Sequence, residues 1–450
     1  MKVSLINTDF HSGGPENIVG TLPPLGLLYI GGALKNSGFD DVELIDLCKD
    51  VDLFKDDAEL GEHVSKKQPS IALIGGMAST ASLPRSLAIA RAIKAADAEV
   101  KVVLGGTHAT FMYADIMKNH PEVDFIVRGE GENTASKLLR ALDDGGDVSG
   151  VKNLVWRTPD NGMKANEIDH EMVDMNECLP AWDLIDDWDA YRSPINGEIS
   201  AVVQFSRGCD HKCTFCGQWM FWKKWHARSA ESFVEEIEGL YTKHGVTFFF
   251  WADENPAQDH GRWLELLNRL EETNRASGDY HHMLNLRVDD VIGDEGRLGL
   301  YKRAGIIAVD MGMESALQKR LDDFNKGTTT EQNKRALDLL RENDIISIVQ
   351  VLVGSPDETR ESLLETNVRI KEWNPDLLNF YYITPFPWTR MGREQDRFIV
   401  ERDLAKWDYR HPVIKPEKIS MEEMQNICNW FKFVIGLSLN IILMPIGSPK

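Results

Sequence analysis

Short, nearly continuous apolar runs alternate with helix-length amphipathic stretches along this chain, and nothing else in it restricts the fold so strongly. KVSLINTD (2–9), VELIDL (42–47), SIALIGG (70–76), VKVVLGG (100–106) and VDFIVRG (123–129) are rich in Val, Ile and Leu. Runs of this kind are strands of a parallel sheet covered on both faces. The intervening patterns predict helices at 24–37, 82–96, 109–118 and 131–142. Residues 1–145 are therefore expected to form a doubly wound α/β domain. After Pro194 the alternation restarts with wider spacing, at 201–206, 246–254, 281–287, 306–314, 346–354 and 377–385. Six β/α units over about 185 residues fall short of the roughly 250 of a complete eight-unit barrel. An incomplete (β/α)6 barrel is predicted for residues 199–390. The acidic, tryptophan-bearing stretch 146–198 is expected to be a linker anchored by Trp182 and Trp188, and 391–450 a small C-terminal region.

The glycines sit where such folds bind ligands. Gly75–Gly76 and Gly105–Gly106 follow strand ends, and the polar run NTDFHSGGPENIVG follows the first strand. Ligands of open α/β sheets lie beyond the carboxyl ends of the strands, where small residues admit close approach. No G-x-G-x-x-G follows the first strand and no phosphate loop ending in G-K-[ST] occurs, which argues against dinucleotide and nucleoside-triphosphate binding. His108, in GGTHAT, is the histidine placed near such an edge. In the second domain polar residues recur at predicted strand ends: Asp253, Glu254 and Asn255, then Arg287, Glu314 and Ser315, then Ser355, Asp357 and Glu358. Any one of these serves equally as a helix cap, but chemistry gathers on this rim of a β/α barrel.

A formal charge of −21 argues against general attraction to nucleic acid. No secretory signal pattern opens the sequence. The apolar tail 431–447 is broken by Lys432, Asn440 and Pro445 and is shorter than the roughly 20 residues of a bilayer span. Three of the six cysteines are scattered, which is no disulfide framework, and a cytoplasmic location is expected.

The other three are clustered in SRGCDHKCTFCGQWMFWKKWH (206–226) as C-x3-C-x2-C, just beyond the first barrel strand. Structural zinc normally takes four protein ligands, and His211 and His226 are the nearby candidates for the fourth. A [4Fe-4S] cluster uses three thiolates without a fourth, since one iron can stay open to a ligand.

With Phe215 in its aromatic position, C-x3-C-x-aromatic-C resembles the radical S-adenosylmethionine (SAM) superfamily, and residues 1–145 resemble the cobalamin-binding domain joined to one branch of it. The segments TFCGQWMFWKKW, FFFWADENP, LDDFNKGTTTEQNKRALDLLR and KEWNPDLLNFYYITPFPW resemble the anaerobic magnesium-protoporphyrin IX monomethyl ester oxidative cyclases. The resemblance implies a [4Fe-4S] cluster on Cys209, Cys213 and Cys216. It implies SAM on the open iron, cleaved by one electron to a radical that abstracts a substrate hydrogen. Contacts to SAM are expected from Phe215, Gly217, Asp253, Glu254, Asn255, Arg287, Glu314, Gly354 and Ser355. Cobalamin is expected against Asn7, Thr8, Asp9, Phe10, Gly76, Ser79, Thr80, Gly105, Gly106, His108, Gly129 and Glu130. The D-x-H-x-x-G element is absent, so no histidine of that motif is expected on cobalt. A small-molecule substrate such as a tetrapyrrole is implied, walled by Trp219, Trp222, Tyr381 and Tyr382. Phe221, Trp225, Phe386 and Trp388 add aromatic surface, and a flavodoxin or ferredoxin is implied as electron donor. The competing enzymatic reading is a cobalamin-dependent radical SAM methyltransferase.

Overall fold

The computed structural model describes residues 1–9, 21–49, 54–76, 79–194, 196–277 and 280–439, with side chains to residue 431. Phe10 lies outside the described residues. The first domain supplies strands β1 (Val3–Asn7), β2 (Val42–Asp46), β3 (Ile71–Gly75), β4 (Lys101–Leu104) and β5 (Phe125–Val127). Helices α1 (Leu25–Asn36), α2 (Asp57–Lys67), α3 (Leu83–Ala96), α4 (Gly106–Asn119) and α5 (Glu132–Asp143) connect and follow them. The five strands are parallel, and the antiparallel hairpin β6 (Leu154–Arg157) and β7 (Met163–Ala165) extends the sheet to the order β2-β1-β3-β4-β5-β6-β7. The first part of the expected linker is thus an edge of this sheet. Separate apolar cores cover the two faces, as continuous Val/Ile/Leu strands require.

Helix α2 is a feature that periodicity does not reveal. Only Leu60, Gly61 and Val64 of DAELGEHVSKK are buried, and one of these is a glycine. That glycine lets α2 lie directly on α3: a Cβ at Gly61 would come 2.4 Å from the Ala92 carbonyl oxygen.

The second domain has β8 (Ile199–Val203), a small antiparallel pair β9 (Ser206–Arg207) and β10 (His226–Ala227), then β11 (Val246–Trp251), β12 (His281–Leu286), β13 (Ile306–Glu314), β14 (Ile346–Val353) and β15 (Leu377–Tyr382). The six long strands are parallel and in sequential order, the open half-barrel expected from the repeat count. Helices α6 (Gln218–Trp222), α7 (Ala230–His244), α8 (His260–Ser277), α9 (Val288–Gly293), α10 (Leu298–Arg303), α11 (Gln318–Asp323), α12 (Thr330–Glu342) and α13 (Arg360–Trp373) lie between the strands. Helices α9 and α10 are separate because the chain turns between them through Gly296 at φ +85°. Capping boxes at Thr329/Gln332 and Thr359/Ser362 start α12 and α13. Last come α14 (Arg390–Gln395) and α15 (Met421–Leu439), the latter packed on α13 and β15. No helix among the described residues is long and apolar enough to cross a membrane.

The linker is pinned by its aromatics. Trp188 stacks on His244 at 4.6 Å, Trp182 donates to Glu236 at 2.7 Å, and the Tyr191 hydroxyl donates to Asp46 at 2.6 Å. These contacts tie both domains together and bring the strand ends of the first sheet to face the barrel mouth.

Candidate active site

A cavity of about 450 Å³ lies between the two domains. Asn7, Gly75, Gly76, Gly105, Gly106, Gly129 and Glu130 line it from the first sheet, and Gln204, Arg207, Gln218, Phe221, Trp222 and Glu254 from the barrel. No atom lies within 4 Å of a Cβ built on Gly129, and Gly105 meets only the Val127 carbonyl, at 4.0 Å. A flat ligand can therefore reach the backbone at these strand ends, as a corrin would require. Other expected cobalamin contacts brace the loops. Thr8 is fully buried beneath Gly76, Asp9 pairs with Arg85 at 2.6 Å, and the Ser79 hydroxyl accepts the His108 backbone N–H at 2.9 Å.

His108 itself is buried, 3.1 Å from the Thr80 hydroxyl and edge-on to Trp388 at 5.4 Å. Burial pushes its pKa down to about 4. The folded state thus favours the neutral ring, and stability is full above the ordinary pKa near 6.5 and lost as pH falls through 4. Denaturant midpoints of the wild type should decline over that window, by an order of ~3 kcal/mol from this group. In a His108→Gln variant that part of the slope should vanish.

Arg207, which sequence reasoning missed, is the electrostatic centre of the interface. Its guanidinium bonds Glu130 and Glu132 of the first domain, both at 2.7 Å, and Gln204 at 2.9 Å. It also lies 4.5 Å over the Tyr29 ring and 5.2 Å over Trp222. Burial opposes its charge, but Glu132, Tyr29 and Glu130 outweigh that and hold the pKa above its ordinary value. Burial likewise pushes Glu130 up, while His226 and Arg207 pull it lower still than a free carboxylate. The available signal was the arginine of SRGC, charged yet set in an otherwise apolar strand exit.

The cysteine loop is built between these groups and the barrel rim. Gly208, at φ +89°, passes so close to Lys224 that a Cβ would come 2.7 Å from its carbonyl oxygen, and its N–H donates to Glu254 at 3.0 Å. Asp253 accepts the Phe205 N–H at 3.1 Å, the Ser206 N–H at 2.5 Å and the Ser206 hydroxyl at 2.6 Å. Burial pushes its pKa up to about 7. Its carboxylate thus holds the loop base. Glu254 faces the cavity and accepts from the Trp222 indole at 2.6 Å. Asn255 is fully buried, and its carbonyl accepts from Trp225 at 2.9 Å. Thr214 is tied to Phe324 and Met391, both at 3.0 Å, and Phe215 packs edge-on to Phe324. Gly217 lies under Trp388, where a Cβ would come 2.5 Å from the indole nitrogen.

The thiols fit a cluster. They are close enough that Cys213 and Cys209 both bear on Cys216, and the Cys216 sulfur accepts from the Gln218 N–H at 3.4 Å. Burial pushes Cys216 up to about 12 and raises Cys209. Such thiols ionise when iron binds them. Among the described residues no three Cys, His, Asp or Glu groups converge tightly enough for a single ion, whereas a cube anchors each cysteine on a separate iron. The zinc alternative loses its fourth ligand: His226 faces Glu130 at 3.4 Å and His211 faces Asp289 at 4.0 Å.

Around the loop, Arg287 is buried, ion-paired with Asp289 at 2.9 Å, and donates to Asp289 at 3.2 Å and to the Lys326 carbonyl at 2.9 Å. Lys326 pairs with Glu314 at 2.9 Å, and Glu314 takes φ 62° at the end of β13. That left-handed turn is costly for a side-chain-bearing residue. Gly354 takes φ +92°, and Ser355 lines a separate polar cavity of about 430 Å³ behind Thr214. Trp219 is half-buried beside the loop. Tyr381 is partly open, but Tyr382 belongs to the outer core with Met424 and Cys428. Strand alternation turns adjacent residues to opposite faces, so Tyr382 is not part of a substrate wall.

Two family models match: a B12 binding domain over residues 16–139 and the radical SAM superfamily over residues 203–368. The chain is 35% identical, over 94% of its length, to 75% of the anaerobic magnesium-protoporphyrin IX monomethyl ester cyclase of Rubrivivax gelatinosus. It belongs to the cobalamin-binding radical SAM enzymes. The corresponding cyclase of Synechocystis is 32% identical over 92% of this chain and 81% of its own. The fold of this radical SAM enzyme is that of the methyltransferase TsrM from Kitasatospora setae, solved with cobalamin and a [4Fe-4S] cluster. The two superpose with a TM-score of 0.70 over 88% of this chain and 75% of that one, at 20% identity. The two family domains imply a [4Fe-4S] cluster, SAM and cobalamin as its cofactors.

Proposed function

We propose that this radical SAM enzyme is an oxygen-independent oxidative cyclase acting on a magnesium tetrapyrrole, Mg-protoporphyrin IX monomethyl ester. What carries the reading is identity of 32–35% to three curated cyclases over more than nine-tenths of the chain. The cofactors, when bound, supply one-electron cleavage of SAM and hydrogen abstraction from carbon. The chain's own residues position and enclose. Cys209, Cys213 and Cys216 hold the cluster, Asp253 and Glu254 hold its loop, and Arg287 and Glu314 offer polar contacts to SAM. The glycine edge and Glu130 seat the corrin, while Trp219, Trp222 and Tyr381 offer flat apolar surface to a macrocycle. A flavodoxin or ferredoxin delivers the electron.

A methyltransferase is the second reading. It is favoured by 29% identity over 95% of the chain to an uncharacterized methyltransferase of Pyrococcus horikoshii and 26% to the hopanoid C-3 methylase of Methylococcus capsulatus. Anaerobically reconstituted enzyme, incubated with the porphyrin ester in ¹⁸O-water, should yield a ring-closed product carrying the label. Methyl transfer without label would reject the cyclase.

A further inference from the structure

We infer that Tyr409 is a substrate-contacting residue whose phenol hydroxyl donates a hydrogen bond to a carbonyl oxygen of the substrate. The inference rests on the cyclase reading for the identity of that carbonyl, the ester of the porphyrin side chain. Tyr409 lies on a strap that follows the barrel. Ile399 and Ile414 bridge its two ends, with Val400 donating to the Val413 carbonyl and Lys415 to the Phe398 carbonyl, both at 3.0 Å. Trp407, Val413 and Ile414 sink into the aromatic cluster around Phe386 and Trp388. Leu404 packs against the core of the first domain. The strap is therefore held to both domains, and its tip is fixed over the end of β15, where the Tyr409 carbonyl accepts the Tyr382 N–H at 2.7 Å.

At that tip Tyr409 takes φ 64°. A bulky aromatic side chain is an outlier there, and a turn alone would be met by Gly or Asn. Strain of this kind persists where the surroundings over-determine it and clusters at functional sites. Tyr409 as a whole residue keeps 40% of its surface accessible, while its hydroxyl end is set among protein groups, with Cys216, Tyr381 and Glu314 within electrostatic range. Its ring meets Tyr381 at 6.0 Å and Phe386 at 5.7 Å, making a continuous wall beside the cluster loop. Neighbouring polar side chains are already engaged, Lys326 with Glu314 and Gln350 with Asp310. The Tyr409 hydroxyl has no hydrogen-bond partner among the described residues. A phenol is protonated at neutral pH, so what it offers an incoming molecule is a donor. Cys216 and Glu314 nearby disfavour an anion there, so a neutral carbonyl is the matching acceptor.

The test compares wild type, Tyr409→Phe and Tyr409→Gly as full-length enzyme loaded with cluster and cobalamin. Each is titrated with Mg-protoporphyrin IX monomethyl ester and with a magnesium etioporphyrin, which carries only alkyl side chains. Tyr409→Phe should weaken binding of the ester by about threefold to tenfold, the worth of one neutral hydrogen bond. It should leave etioporphyrin affinity unchanged. Tyr409→Gly relieves the backbone strain, so it folds even if the phenylalanine variant does not, and removing the ring should weaken both ligands. Wild type that binds the ester with a Tyr409→Phe variant that binds it equally well would overturn the Tyr409 contact alone. Equal weakening of both porphyrins by Tyr409→Phe would likewise overturn it, as a structural effect. Wild type that binds no ester would overturn the cyclase reading and this contact together.

Discussion

Replacing Cys216 with serine is expected to abolish reductive cleavage of SAM, a loss on the order of a thousandfold or more. The residue makes no disulfide and stands on a short loop held from both sides, by Asp253 and Glu254 at its base and by the Thr214 contacts to Phe324 and Met391 further on. Its thiol is half-buried and pushed up to about 12 by desolvation, so it is inert until metal binds. Serine is a hard, poorly ionised ligand in the same place and cannot replace a soft thiolate on iron. Iron and sulfide analysis after anaerobic reconstitution, together with quantified 5′-deoxyadenosine, checks the outcome. The control is Cys178→Ser. Cys178 lies in the linker against the Tyr29 carbonyl, away from the loop, so that variant should keep iron content and cleavage near wild type.

Replacing Arg207 with alanine should cost about 3–5 kcal/mol of stability, the penalty for removing one partner of a buried ion pair. Glu130 and Glu132 would remain buried with their countercharge gone, and the rings of Tyr29 and Trp222 would lose the cation between them. Because both carboxylates belong to the first domain and the arginine to the barrel, the damage falls on the interface that frames the cavity. Denaturant unfolding should show the lower midpoint, and corrinoid content after reconstitution should drop with it. Arg207→Lys keeps the charge but loses the bidentate reach, so it should fall between the two. A stability and corrinoid content unchanged by Arg207→Ala would dismiss the network as the link between the domains.

The elements differed in how plainly the sequence announced them. Strands β1 to β5 and the six barrel strands were legible because the sheets they build are covered by helices, which demands apolar runs, and those runs fall within three residues of the observed bounds. Helix α2 was hidden because its contact with α3 depends on Gly61, which contributes no apolar signal. Among site residues, the cysteine triplet was readable because its chemistry needs three soft ligands at short spacing on a single loop. Tyr381 and Tyr382 looked equivalent as neighbours in FYYITP, yet pleating sends one to the mouth and the other into the core.

By itself, then, the sequence determined the architecture and the order of the two domains, and it marked the cysteine triplet as the candidate cluster ligands. Each follows from local periodicity or from groups adjacent along the chain. Only the tertiary structure decided which residues meet across distance. It joined Arg207 to Glu130 and Glu132, set Trp388 over Gly217, and returned Tyr409 to the barrel mouth. Contacts of that kind depend on how one domain is laid against another, and no spacing along a chain encodes them.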